Sequence, residues 1–237
     1  MKYSVLIPAH NEEAFLGQCL QSVESASDQV PEPVEIIVAL NRCTDQTADI
    51  AARYHAILVR EDSKNLARIR NTAARAATGD IIVTIDADSR MSGNMFVEIA
   101  ANLSAGKYIG GGVLIRPERW SLGICMSLLM VLPFLLIHRI SGGLFWCQRR
   151  DFEAVGGFNE SLVSAEDLDF AKRLKAYGKT KSKRFKTITR AHIITSCRKF
   201  DTFGDWYLFK NPVLVWKIMQ GGNQKAADLF YYNTRNT

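Results

Sequence analysis

Four short apolar runs, residues 3–8, 34–40, 56–60 and 81–85, alternate with segments whose apolar side chains recur at helical spacing. Few folds accept that order. Valine- and isoleucine-rich runs without polar alternation read as strands buried on both faces, and helices between them make βαβ units. The chain is therefore expected to fold as α/β, with a Rossmann-like, mostly parallel central sheet flanked by helices. Phe15, Leu16, Leu20 and Val23 mark a first helix, entered from Asn11-Glu12-Glu13 and broken by Pro31 and Pro33. A second begins near Thr47, capped by Thr44 or Asp45, and runs to Tyr54. A third covers residues 65–77 and stops at Thr78-Gly79-Asp80. In such sheets ligands bind at the carboxyl ends of the strands. Residues 8–12, 41–45 and 86–88 all fall at such ends.

The fourth run ends unusually. Ile81-Ile82-Val83-Thr84-Ile85 is followed by Asp86-Ala87-Asp88. If the strand continued, side chains two apart would point the same way and bring two anions to one edge of the sheet. A positive partner belongs there. Oxygen-only donors suit hard divalent ions such as Mg²⁺ or Mn²⁺, which use few protein carboxylates and complete their shell with substrate phosphates and water. The alternative is a loop whose acids only cap the next helix.

Other polar clusters carry the same ambiguity. Pro8-Ala9-His10-Asn11-Glu12-Glu13 leaves a strand for a helix, where orphan N–H groups attract a nucleotide, or is simply a helix start with acids in its first turn. Glu166-Asp167 can supply a general base, yet Ser164-x-x-Asp167 also reads as a capping box. His192 is either a third metal ligand or a satisfied core histidine. Arg198-Lys199 can neutralise a diphosphate or belong to a solvated basic face.

The second half is less regular. Strands are expected over 107–114, 142–147 and 187–195, a helix over 150–155 closed by Gly156-Gly157, and another from Ser164 to Gly178. Residues 121–140 are apolar for most of their length but contain Pro133 and end in His138-Arg139, at the lower limit for a membrane span. A buried or interfacial helix is the expectation. With 237 residues, 47% of them hydrophobic, the chain can bury a sizeable core. A net charge of +6 spread along the chain favours anionic partners without selecting among them. Five cysteines without a CxxC pair suggest a reduced protein and no zinc site. No charged region with a cleavage site precedes the first strand, so residence in the cytoplasm is expected.

Order and spacing narrow the reading. PAHNEE at a strand end, a second strand ending in a turn with an aspartate, NLARIRNTAARAATGD feeding a strand that ends in DAD, and RRDFEAVGGFNE followed by EDLDFAKRL together resemble the family 2 glycosyltransferases with the GT-A fold. The resemblance covers residues 3–178, and its second half is the most specific part. It implies an inverting transfer of a sugar from a nucleotide-diphosphate donor to an acceptor hydroxyl, with a divalent ion as cofactor and no nucleic acid partner. Pro8, Ala9, Asn11, Glu12, Asn41, Asp45, Arg68, Asn71, Asp86 and Ala87 would bind the nucleotide. Arg198 would face the diphosphate, and Asp86 and Asp88, with His192, the metal. Asp167 matches the family's base, with Glu166 in reserve. A GT-A domain would span 1–200, its nucleotide half 1–110 and its acceptor half 111–200, followed by a helical extension over 201–237 on the domain or at the membrane surface.

The chain departs from the family pattern at Leu40 and Asn41, where two adjacent aspartates are usual, one of which commonly reads uracil. Arg42 would favour another base such as guanine. The QxxRW motif of processive synthases is missing, which implies single transfer. Because residues 121–140 lie between the donor half and the base, two readings stand side by side: a lipid-linked acceptor with a peripheral contact at the inner face of the cell membrane, or an amphipathic helix that covers the sheet or makes a dimer contact. Two rivals are a non-catalytic sugar-nucleotide-binding or scaffold protein and a nucleotidyltransferase, although the latter usually needs a glycine-rich basic loop where PAHNEE stands.

Overall fold

In a computed structural model describing residues 1–222, the first half alternates as expected: β1 (Tyr3–Ala9), α1 (Leu16–Ser27), β2 (Val34–Leu40), α2 (Thr47–Arg53), β3 (Ile57–Arg60), α3 (Leu66–Ala76) and β4 (Ile81–Ile85). These four strands are parallel, in the spatial order β3-β2-β1-β4. Tyr3, Val5 and Ile7 of β1 pack toward α1, while Leu6 faces the opposite layer with Ala67, Ile69 and Ala73 of α3. Both faces of β1 and β4 are covered, which is why these strands are almost wholly apolar, whereas β3 at the sheet edge leaves Ile57 and Leu58 exposed. Asn65 caps α3 by accepting the Arg68 N–H at 2.9 Å.

The chain continues through β5 (Ser89–Met91), α4 (Met95–Ser104), β6 (Tyr108–Pro117), α5 (Leu122–His138), β7 (Leu144–Gln148), α6 (Arg149–Ala154), α7 (Glu166–Thr180), β8 (Arg184–Thr195), α8 (Arg198–Phe203), α9 (Tyr207–Lys210) and α10 (Pro212–Met219). Among the described residues the sheet has eight strands, in the order β3-β2-β1-β4-β7-β6-β8-β5. It is mixed. β7 is antiparallel to both neighbours, and β5 is antiparallel to β8. Strand direction follows from which edge a segment docks on, and no local pattern in residues 89–148 announces it. β6 lies between β7 and β8, where a Cβ on Gly111 would collide with the Lys186 carbonyl.

α5 is 17 residues long, about 25 Å at 1.5 Å per residue. No helix among the described residues is long and apolar enough to cross a membrane. The expected C-terminal extension over 201–237 is helical in α9 and α10, and its residues 223–237 lie outside the described residues.

Candidate active site

Strand order reverses between β1 and β4, since the chain goes from β1 to β2 on one side and returns from β3 to β4 on the other. Open α/β sheets bind ligands at that crevice. A cavity of about 220 Å³ sits there. Pro8, Ala9, His10 and Glu12 reach it from the end of β1, Asn41 from β2, Asp86, Ala87 and Asp88 from β4, and Arg198 and Lys199 from α8.

The two aspartates meet the cavity for a reason other than strand alternation. β4 stops at Ile85, and residues 86–89 form a turn closed by the Ser89 N–H donating to the Asp86 carbonyl at 3.0 Å. Each carboxylate then meets an arginine. Arg70 Nη2 lies 2.6 Å from Asp86 Oδ1, and Arg198 Nη2 lies 2.9 Å from Asp88 Oδ2. Each arginine also bonds a second acid. Arg198 grips Glu12 in a bidentate pair at 2.6 and 2.9 Å, with its guanidinium over the Phe15 ring. Arg70 Nη1 donates to Glu166 Oε1 at 2.5 Å. Glu12 is therefore not an acid of a helix's first turn: α1 begins only at Leu16, and the carboxylate is fully buried against Arg198.

Glu166-Asp167 opens α7. The capping-box alternative does not occur, because the Ser164 hydroxyl donates to the Ile218 carbonyl and Ala165, in the left-handed region at φ 54°, makes no side-chain cap. A non-glycine residue there costs on the order of 1 kcal/mol, a strain that fixes the direction of the two acids that follow. Burial pushes the Glu166 carboxyl up to about 7 despite the pull of Arg70, and raises that of Asp167 as well. A carboxyl titrating near neutrality is matched to proton transfer. Glu166 is buried and spoken for by Arg70, while Asp167 is half-buried. A Cβ on Gly142 would come within 3.3 Å of Asp167 Oδ2, so that glycine keeps the approach to the carboxylate open.

Several expected site residues have other partners. Asp45 accepts the N–H groups of Glu13 and Thr47, each at 3.0 Å, and so ties the β1–α1 loop to α2; burial would raise its carboxyl, but these bonds and the Thr47 hydroxyl hold it below its ordinary value. Asn11 accepts from the Thr44 N–H at 2.9 Å. Arg68 pairs with Glu160 at 3.2 Å on the surface, and Asn71 clasps the Phe158 backbone from both sides. None of these four lines the cavity. His192 lies in a separate shallow depression beside Gln18, Ser22 and Arg90, apart from Asp86 and Asp88, on β8 before that strand ends at Thr195.

Sequence reasoning missed Arg70, although a signal was present. Ala67, Arg70 and Ala73 recur every three residues on the buried stripe of α3, whereas Arg68 and Arg75 fall off it. Asn41 has a particular role. Its Nδ2 donates to the Glu61 and Ser63 carbonyls at 2.5 and 2.8 Å, which fixes the amide orientation, and its buried Oδ1 has no hydrogen-bond partner.

The donor set at Asp86 and Asp88 fits a hard divalent ion: two carboxylates on one cavity wall, one of them 42% exposed, with only oxygen donors. Among the described residues no group of three His, Cys, Asp or Glu side chains can hold a metal ion. Such an ion would thus take most of its ligands from phosphate and water.

Comparison with known proteins identifies the fold and the family. Glycosyltransferase AglE of Haloferax volcanii is 23% identical over 91% of this chain and 74% of its own. Two other curated glycosyltransferases match over 36% of this chain, which spans a quarter and a fifth of their lengths. Among solved structures, TarS of Staphylococcus aureus in complex with UDP-GlcNAc aligns over all of this chain and 72% of its own, with TM-score 0.65 and 19% identity. The mannosyltransferase PcManGT of Pyrobaculum calidifontis, in complex with GDP-Man and Mn²⁺, aligns over 89% of this chain and 64% of its own, with TM-score 0.63 and 20% identity. The fold is GT-A. The model of Glycosyl transferase family 2 matches residues 4–155, and the chain belongs to that family.

Proposed function

We propose that this protein transfers a sugar, with inversion and in single steps, from a nucleotide-diphosphate donor to the hydroxyl of a sugar or lipid-linked acceptor. The observation that carries the reading is the pair of arginine bridges that start from the turn after β4, whose Asp86 and Asp88 line the cavity. Arg198 joins the Asp88 turn to Glu12 at the end of β1, and Arg70 joins the Asp86 turn to the acids that open α7. A donor pocket and a candidate base are thereby held in one frame, as a transfer between two bound partners requires.

In the reaction, the acceptor oxygen forms a bond to the anomeric carbon as the bond from that carbon to the diphosphate oxygen breaks. Asp167 accepts the hydroxyl proton, and its raised pKa suits that task near neutral pH. Glu166 stays paired with Arg70 and positions the start of α7. Arg198 faces the leaving diphosphate, whose negative charge grows as the bond breaks. Asp86 and Asp88 would hold Mn²⁺ or Mg²⁺, which would add positive charge beside the diphosphate. His192 stands outside that set.

Asn41 stands where one of the usual acidic pair would be. With its Nδ2 locked onto two carbonyls, the side chain offers the cavity an acceptor only. An orphaned buried acceptor costs on the order of 1–3 kcal/mol until an N–H meets it. Every base presents an N–H on its pairing edge, from the ring in uracil, thymine and guanine and from an amino group in adenine and cytosine, so this acceptor suits a nucleotide base without choosing among them.

The test is thermal stability of the purified protein with UDP, GDP, TDP, ADP and CDP and their sugar conjugates, with and without Mn²⁺, repeated on Asp88→Ala. A Mn²⁺-dependent rise of several degrees with one base, lost in the variant, is the expected result. No response to any nucleotide would leave a scaffold as the better reading.

A further inference from the structure

α5 is apolar on every side, yet the domain covers only part of it. Ile124 and Ser127 are buried, while Leu122, Leu129, Leu132 and Ile137 lie on the other side, with Leu129 54% and Ile137 77% exposed. α5 packs against α9, and α9 against α10, which exposes Trp216 at 62%. Trp120 precedes α5 and Trp206 precedes α9, both exposed. Large aliphatic side chains bordered by tryptophans are the composition of a surface that sits at the boundary between water and hydrocarbon.

The charge on the helices of this face has one sign, and the acids at its border, Asp201 and Asp205, are neutralised by pairing with Arg119. Residues 121–140 and 206–222 contain no aspartate or glutamate, and the cations among them are Arg139, Lys210 and Lys217, all exposed. A second copy of the chain would bring the same cations against these, whereas an anionic headgroup layer complements them. The face is also fastened to the acceptor side of the site. Lys175 of α7 donates to the His138 carbonyl at the end of α5, and the Val163 N–H and Ser164 hydroxyl donate to Gly221 and Ile218 at the end of α10. Residues 163–164 lead directly into Glu166-Asp167, and Val163, Phe200 and Leu208 line the cavity.

We infer that α5, α9 and α10 form a docking face for an anionic lipid bilayer, and that docking presents the Asp167 side of the site to acceptors held in that bilayer. The second clause rests on the glycosyl-transfer reading above, while the first stands without it. The helices lie on the surface and do not span it.

The test uses the full chain and extruded vesicles of phosphatidylcholine alone or mixed with phosphatidylglycerol, read by cosedimentation. Leu129→Glu with Trp216→Glu changes two exposed side chains and leaves the cavity untouched. The wild type is expected to pellet with the anionic vesicles and less with the neutral ones, and the double variant to lose binding about tenfold or more. The thermal response to nucleotide should stay unchanged in the variant, which confirms that it is folded. Vesicle binding equal in both proteins, or absent in the wild type, overturns the inference. So does a wild-type dimer by light scattering that the double variant converts to monomer without any vesicle binding, since the face would then belong to a second copy. Vesicle binding without any nucleotide response would instead refute the glycosyl-transfer reading and leave the docking face standing.

Discussion

Replacing Arg70 by methionine would remove one guanidinium and expose how much the site depends on it. The side chain is 7% exposed and bonds Asp86 at 2.6 Å and Glu166 at 2.5 Å, with its guanidinium carbon 5.3 Å from the centre of the Phe158 ring. Methionine keeps the apolar stem and a contact with that ring. What it removes is the only charge shown bonded to the Glu166 side chain, which is 4% exposed. Breaking a buried pair by deleting one partner costs about 3–5 kcal/mol. The carboxyl escapes part of that by taking up a proton. Its pKa is already near 7, and without Arg70 it rises further above the unfolded value near 4.5. An acid with a raised folded pKa destabilises increasingly as pH climbs from the unfolded pKa toward the folded one. Wild type shares that slope up to its own folded pKa near 7, so the pH-dependent part of the penalty opens only above about pH 7, where it grows by up to about 1.4 kcal/mol per pH unit until the variant's carboxyl also ionises. Urea unfolding of wild type and Arg70→Met between pH 5 and 8 measures it. Arg70→Met with Glu166→Gln should recover about 1–3 kcal/mol at pH 8 and flatten the dependence. A loss under about 1 kcal/mol that does not vary with pH, or no recovery in the double variant, would show that Arg70 does not hold Glu166 as described.

Two further outcomes follow from features away from the cavity. Glu35 accepts from Lys2, Ser4 and Thr78 at the amino ends of β1 and β2; burial alone would raise its carboxyl, but these bonds hold it at about 2, so its stabilising contribution is present above pH 4.5 and is lost as pH falls toward 2. After allowance for solvent screening that contribution is about 1–2 kcal/mol, and acid titration of unfolding should lose it in the wild type but not in Glu35→Gln. In Gly111→Ala the new methyl group meets the Lys186 backbone, and the β6–β8 pairing should open at a cost of about 3 kcal/mol or more, read as a lowered Tm with weakened hydrogen-exchange protection over residues 184–188.

The centre of the parallel half of the sheet is readable from sequence because both of its faces are buried. Val34–Leu40 and Ile81–Ile85 are bounded where the apolar runs end. β5 and α4 are not announced by residues 89–104 in the same way, since a three-residue edge strand carries no period, and the direction of β7 is set by docking between β4 and β6. The same division holds in the site. Asp86, Asp88, Glu12, Asn41 and Arg198 come together as the motif order suggests. Arg68 and Asn71, two and one residues from Arg70, do not, because helical phase rather than proximity in sequence decides which side chain faces inward. His192 fails for a similar reason: its place on β8 puts it on another part of the surface.

The bidentate pair between Glu12 and Arg198 spans 186 residues. On a ribosome adding about 5–20 residues per second, the arginine emerges roughly 10–40 s after the glutamate. Until then Glu12 lacks this bidentate partner, so the loop after β1 is held less completely while the strands around it are already able to pair. Closure of the donor pocket is thus a late event in biosynthesis. A nascent chain stalled before residue 198 should offer this loop to proteases that the finished protein excludes.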